Sequence, residues 1–195
     1  MCRYAAIVLC LWLMPLHAAA QSVGQSLDVQ TLDGKSIDPF NSGHSARATV
    51  FIFVRTDCPI ANRFAPTVER LRREFAPRGV NFWLVFIDPA ETAGMIRAHL
   101  TEYDLHADAV RDPRHTLVAL AGATITPEAA VYVGGQEAPR LAYRGRIDDR
   151  FVDFGLARPQ PSTHDLQQAL EAVLAGRTVT PQTTPAVGCV IADLR

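Results

Sequence analysis

The sequence predicts an α/β fold: a mixed β-sheet with helices on both faces, opened by an N-terminal β-hairpin and closed by an extended C-terminal tail. Three observations predict it. "ATVFIFV" (48–54) and "VNFWLVFID" (80–88) are continuous apolar, β-branched and aromatic runs, the pattern of strands buried on both faces. The stretch between them repeats its apolar residues at helical spacing, which makes a strand–helix–strand unit. A hairpin pattern and a closing amphipathic helix follow, adding strands and a helix to the same sheet.

Each element has its own signal. "SLDVQTLDGKSIDPF" (26–40) alternates apolar and polar residues around Asp33-Gly34, a hairpin signature. In "PIANRFAPTVERLRREFAPRG" (59–79), Phe64, Val68, Leu71 and Phe75 share one helical face. Pro66 is a point where this helix can kink, and Pro77 with Gly79 stops it. "ETAGMIRAHLTEYDL" (91–105) reads as a helix. "RDPRHTLVALAGA" (111–123) gives a turn at Asp112-Pro113 and a short helix closed by Gly122. "TPEAAVYVG" (126–134) reads as a third strand, paired with "RLAYRGRI" (140–147) across Gly134-Gly135. "STHDLQQALEAVLAG" (162–176) is an amphipathic helix that Ser162 or Thr163 can cap, with Gly176 in the C′ position.

Residues 1–20 read as a signal peptide. Arg3 is a basic start, "AAIVLCLWLMPL" (5–16) an apolar core, and the three alanines at 18–20 a small-residue cleavage site. The alternative is an uncleaved anchor, for which the run is short against a span of about 20 apolar residues. Leu9 stands where a lipoprotein needs a small residue before Cys10. The expectation is cleavage after Ala20 and export to a periplasmic or extracellular location, with no membrane span left. Residues 21–176 then read as one domain without internal repeats, and 177–195 as a Thr- and Pro-rich, flexible tail carrying Cys189. The formal net charge is −1, from 19 Lys and Arg against 20 Asp and Glu. That balance gives no electrostatic case for nucleic acid or an anionic membrane surface.

Loss of the leader removes Cys2 and Cys10, leaving Cys58 and Cys189 of the four cysteines. Two cysteines in an exported chain can form one bridge, and a plain structural disulfide is one reading of them. Cys58 stands between a buried strand and a helix, with Pro59 in the first turn, where its missing N–H costs little. The sulfur is expected at the helix N-terminus, facing the free amides of Ile60, Ala61 and Asn62, a setting that favours thiolate. Asp57 opposes that charge and Arg55 offsets it. A buried, inert cysteine is the competing reading. Thr126-Pro127 opens the strand expected beside the one ending at Arg55. A cis proline there presses the chain against the sulfur and leaves the Thr126 backbone free to pair with a substrate chain.

"ATVFIFVRTDCPIANRFAP", the "TPEAAVY" strand and the "LDGKSI" hairpin together resemble the thioredoxin-like superfamily, and within it the redoxin group related to alkyl hydroperoxide reductase and thiol-specific antioxidant. The late runs "YRGRIDDR" and "AVGC" are similar to exported bacterial proteins of this group. The resemblance implies a thioredoxin-like fold, with Cys58 as the reactive cysteine and Pro127 as the cis proline. It implies thiol–disulfide or peroxide chemistry, with protein or small-molecule thiols and disulfides as partners and no cofactor. The sequence also departs from the family. Peroxiredoxins carry Thr or Ser three residues before the reactive cysteine and proline four before that; here those positions are Arg55 and Phe51, and Thr56 sits one place late. The second thioredoxin cysteine is replaced by Ala61. Cys189 is the remaining thiol that can resolve Cys58, with Gly188 before it allowing close backbone approach. Pairing of Cys189 with another protein is the rival.

A Cu(I) site from the two thiols and a histidine is a further alternative. Copper-delivery relatives use C-x-x-x-C, and the corresponding position here is Asn62. His44, His99, His106, His115 and His164 fall at no metal-ligand spacing. Asp148-Asp149, flanked by Arg146 and Arg150, reads as a solvated charged turn, Asp88 and Asp112 as turn starters, and Trp83 as core.

Overall fold

The computed structural model describes residues 27, 29–41, 46–134 and 139–192. The leader, His44 and Gly135 lie outside the described residues. The chain runs β1 (Val29–Thr31), β2 (Ser36–Ile37), β3 (Ala48–Val54), α1 (Pro59–Phe75), β4 (Val80–Phe86), α2 (Ala93–Glu102), β5 (Asp108–Arg111), α3 (Thr116–Ala121), β6 (Ile125–Thr126), β7 (Glu128–Val133), β8 (Arg140–Gly145), β9 (Phe151–Asp153), β10 (Leu156–Ala157), α4 (Asp165–Leu174) and β11 (Cys189–Val190).

The apolar runs explain the sheet order, β2-β1-β5-β4-β3-β7-β8. Every residue of β3 is buried, so β3 needs a strand on each edge and a layer on each face. Its edges pair parallel with β4 (Val50 opposite Phe82) and antiparallel with β7 (Val50 opposite Val131). Alternation then divides its side chains. Val50, Ile52 and Val54 join one core with Phe64, Val68 and Leu71 of α1, Ile96 of α2, and Leu166 and Leu170 of α4. Phe51 and Phe53 join a second core with Trp83, Val29 and Leu117 and Val118 of α3. Helices therefore cover both faces, as expected, and Trp83 is core. Burying one such side chain stabilises the fold by about 1.5–3 kcal/mol before entropy is counted.

Several local expectations change. β5 has no counterpart in the sequence reading; its four residues fill the sheet between β4 and β1. The third strand is broken at Pro127, which has no N–H to give a ladder, so β6 separates from β7. α4 starts at Asp165 with no side-chain cap from Ser162 or Thr163. Its N-terminal backbone is held instead by Leu166 N–H donating to the Ile147 carbonyl at 3.1 Å. Asp148 and Asp149 are buried, not solvated. One Asp149 oxygen accepts from the backbone N–H of Ser162 and Thr163, which fixes the entry to α4. Arg146 leaves the supposed surface cluster to pair with Asp165 at 2.9 Å. Asp88 and Asp112 do start turns, and Asp112 also accepts three N–H groups at the start of α3.

The largest correction concerns the tail. It is extended, but it is bound along its course rather than free. After the left-handed Gly176 (φ 68°) the chain buries Val179 and reaches β8. There Arg144 N–H donates to the Gln182 carbonyl (2.9 Å), and Thr184 N–H donates to the Arg144 carbonyl (3.1 Å). The buried Thr184 hydroxyl lies 2.6 Å from the Tyr143 hydroxyl. Gly145 makes this crossing possible: a Cβ there would fall on Thr184, 2.8 Å from its nitrogen. The tail then ends as β11, antiparallel to β6.

The Phe51 ring is fully buried and meets the Phe40 and Tyr132 rings edge-on, with centroids 5.3 and 5.7 Å away. Phe51→Ala should cost about 3–5 kcal/mol of unfolding free energy. Urea denaturation of the reduced protein measures it, and a loss below about 1 kcal/mol would contradict this packing.

Candidate active site

Cys58 is the N-cap of α1, in extended conformation, and Pro59 takes the first helical turn as the sequence predicts. The turn that delivers it is tied down on three sides. Asn62 N–H donates to the Cys58 carbonyl (3.0 Å) and the Asn62 side-chain amide donates to the Thr56 carbonyl (3.0 Å). Thr56 N–H donates to the buried Glu91 carboxylate (2.6 Å). The Arg55 guanidinium pairs with Asp57 at 2.8 Å and with Asp88 at 3.2 Å. Arg55 thus neutralises the carboxylate expected to oppose a thiolate, by direct contact.

The sulfur does not point where expected. It receives no hydrogen bond from the helix amides. Instead the Cys58 thiol donates to the Thr126 backbone carbonyl at 3.1 Å. Cys58 is 0% exposed, and so is Thr126. The Thr126–Pro127 bond is cis, as expected.

The Thr126 backbone is not free. β11 pairs with it, Cys189 opposite Thr126 and Val190 opposite Ile125. Ile191 N–H donates to the Thr124 carbonyl (2.9 Å), and Thr126 Oγ1 donates to the Cys189 carbonyl (3.3 Å). Val187 and Ile191 pack against the two opposite cores. Gly188 crosses directly over the Thr126 carbonyl: an added Cβ would fall on its oxygen, 2.8 Å from its carbon and 3.0 Å from Ile125 Cγ2. This seating brings Cys189 Sγ to 2.7 Å from Cys58 Sγ, both cysteines being free. Cys189 is half-buried, and burial first, then the adjoining Cys58 thiol, pushes its pKa up to about 11. It is a thiol at neutral pH.

The fold of this chain is shared with solved structures. An uncharacterised conserved protein of Geobacillus kaustophilus is 22% identical, with TM-score 0.72, over 86% of this chain and 88% of its own. A thioredoxin-like protein of Aeropyrum pernix is 17% identical, with TM-score 0.53, over 77% of this chain and 89% of its own. The fold is thioredoxin-like. A secreted disulfide oxidoreductase of Mycobacterium tuberculosis superposes on the same frame at 17% identity and TM-score 0.50, over 78% of this chain and 98% of its own. No family model and no curated protein matches the sequence.

Within this thioredoxin-like frame, two supporting carboxylates escaped the sequence reading. Glu91 holds the turn before Cys58, and burial raises its pKa. Glu128 is buried next to Pro127 and accepts from the N–H groups of Thr124 (2.8 Å) and Ile125 (3.3 Å), shaping the approach to β6. A charged residue at the head of an apolar strand was the available signal for Glu128; nothing local marks Glu91. His99 is buried against Phe86 and Tyr103, away from any cysteine contact. Among the described residues, no three His, Cys, Asp or Glu side chains are placed to hold a metal ion. No helix of the described residues is long and apolar enough to cross a membrane.

Burial is the first cause of the Cys189 shift and remains when Cys58 loses its sulfur. In the Cys58→Ser protein, the rate of Cys189 alkylation by iodoacetamide should therefore rise with an inflection above the free-thiol value of about 8.5. An inflection at or below that value would mean that the tail does not shelter Cys189.

Proposed function

We propose that the protein is an exported thiol–disulfide oxidoreductase in which Cys58 attacks and Cys189 resolves. The observation that carries the reading is the 2.7 Å separation of two free sulfurs that lie 131 residues apart in sequence. A disulfide bond needs about 2.0 Å between sulfurs, so only a small approach joins them. The leader at 1–20 supports export, and a secreted disulfide oxidoreductase with the same fold is consistent with it.

Cys58 first loses its proton and its hydrogen bond to Thr126. The thiolate attacks one sulfur of a substrate disulfide; the S–S bond breaks, and one substrate thiolate leaves and takes up a proton. Cys189 then loses its proton and attacks Cys58 Sγ. The mixed disulfide breaks, the second substrate thiol departs, and a Cys58–Cys189 bond remains. Two electrons have passed from the pair to the substrate. An external dithiol returns the pair to the reduced state, and the same steps in reverse oxidise a substrate dithiol. The roles differ for physical reasons. Cys58 sits on a rigid helix start beside an arginine-neutralised turn. Cys189 rides on a strand of two residues. Pro127, Thr126, Arg55, Asp57 and Pro59 are positioning residues around this pair. Hydroperoxide reduction is disfavoured because Arg55 and Phe51 stand where peroxidases of this group carry hydroxyl and proline.

The test is trapping with a model protein disulfide on non-reducing gels. Cys189→Ser should accumulate a mixed disulfide at Cys58, whereas Cys58→Ser should form none. A purely structural bridge would stabilise the oxidised fold by about 4–5 kcal/mol for a loop of this length, yet neither variant would trap a partner. Equal behaviour of the two variants rejects the assignment of roles.

A further inference from the structure

The tail strand occupies the position a substrate needs. Cys58 is wholly buried, and what lies against it is β11 with Cys189 at its sulfur. In the proposed reaction the attacked sulfur of a substrate has to come within bonding distance of Cys58 Sγ, the place Cys189 Sγ now takes. Beside that sulfur the backbone edge of β6 can hold a chain, and it is filled by the protein's own Gly188–Cys189–Val190. The tail is thus a resident example of the segment that fits.

That example carries a strict steric condition. Gly188 precedes the cysteine, and any Cβ at its position would overlap the Thr126 carbonyl. The carbonyl cannot easily yield. Its oxygen accepts the Cys58 thiol, the Thr126 side chain is wholly buried and bonded across to Cys189, and the flanking amides of Thr124 and Ile125 are bonded to Glu128. The positions on either side are less restricted. Val190 is 70% exposed and Val187 only partly buried.

We infer that the seat on β6 which the tail now fills selects extended polypeptide segments in which glycine immediately precedes the reacting cysteine. The tail is both the competitor for that seat and the means of emptying it. The inference rests on the oxidoreductase reading. A substrate segment displaces residues 187–190 and pairs with β6. Its cysteine forms the mixed disulfide with Cys58 while its former disulfide partner leaves as a thiol. Return of the tail to β6 expels the segment as Cys189 attacks Cys58, so strand exchange and thiol exchange occur together. Protein disulfides with a Gly-Cys element in an accessible strand or loop form the substrate class.

The test uses two full-length variants, Cys189→Ser and the double variant Gly188→Ala with Cys189→Ser. Three probes are used: Val-Gly-Cys-Val and Val-Ala-Cys-Val peptides and 2-mercaptoethanol, each as its mixed disulfide with 5-thio-2-nitrobenzoate. Attack by Cys58 on the probe sulfur releases the coloured thiolate, and each rate is normalised to that with free cysteine. Overpacking costs of about 1–3 kcal/mol translate to between about fivefold and a hundredfold or more. The glycine peptide should therefore outpace the alanine peptide by at least about fivefold in the double variant, whose tail has lost its fit. The double variant should also outpace Cys189→Ser with the glycine peptide. Equal rates for the two peptides, or no gain from unseating the tail, overturn the docking inference while the mercaptoethanol probe still reacts. A Cys58 that ignores the mercaptoethanol probe in both variants overturns the oxidoreductase reading and this inference with it.

Discussion

The Thr126 carbonyl is the point on which the site turns. It accepts the Cys58 thiol, lies directly under Gly188, and belongs to the short strand that aligns Cys189. One backbone group therefore fixes two sulfurs from segments far apart in sequence. Its own position is set by the break at Pro127, which lifts β6 away from the β7 ladder and turns it toward the tail. Glu128, immediately after the proline, restores hydrogen bonds that β6 would otherwise lack, since it accepts the amides of Thr124 and Ile125.

With the tail seated, Cys58 is wholly buried and its thiol is bonded to a backbone carbonyl rather than turned to the helix amides. Cys189 is held neutral beside it, its pKa raised chiefly by burial. A substrate reaches Cys58 only when the tail moves, because the same strand supplies both the cover and the second sulfur.

Much of this was legible in the sequence, for identifiable reasons. β3 and β4 are long apolar runs, and α1 repeats Phe64, Val68, Leu71 and Phe75, so local pattern and tertiary burial agree. The cis bond before Pro127 was likewise anticipated, and a meeting of Cys58 with Cys189 was one of two outcomes the sequence left open. β5 was not, because "DAVR" is too short to show alternation and owes its strand form to the gap between β4 and β1. β11 is two residues whose pairing is entirely long-range. The direction of the Cys58 thiol was misread because helix-terminus reasoning is local, while the acceptor that wins is 68 residues away. Asp148 and Asp149 look like a solvated turn in one dimension. Their burial follows from α4 closing over them, which the charge pattern does not encode.

The crossing of the tail over β8 has a consequence beyond delivering Cys189. β8 is the last strand of the seven-stranded sheet, and its outer N–H and C=O groups would otherwise offer a template to any passing extended chain. Residues 182–184 occupy part of that border, bonding Arg144 in both directions and lying too close over Gly145 for a side chain to intervene. The opposite border, β2, is only two residues long. The segment that carries the second thiol therefore also keeps the sheet from growing, and a chain shortened before Gln182 would lose its protection against self-association along with its second sulfur.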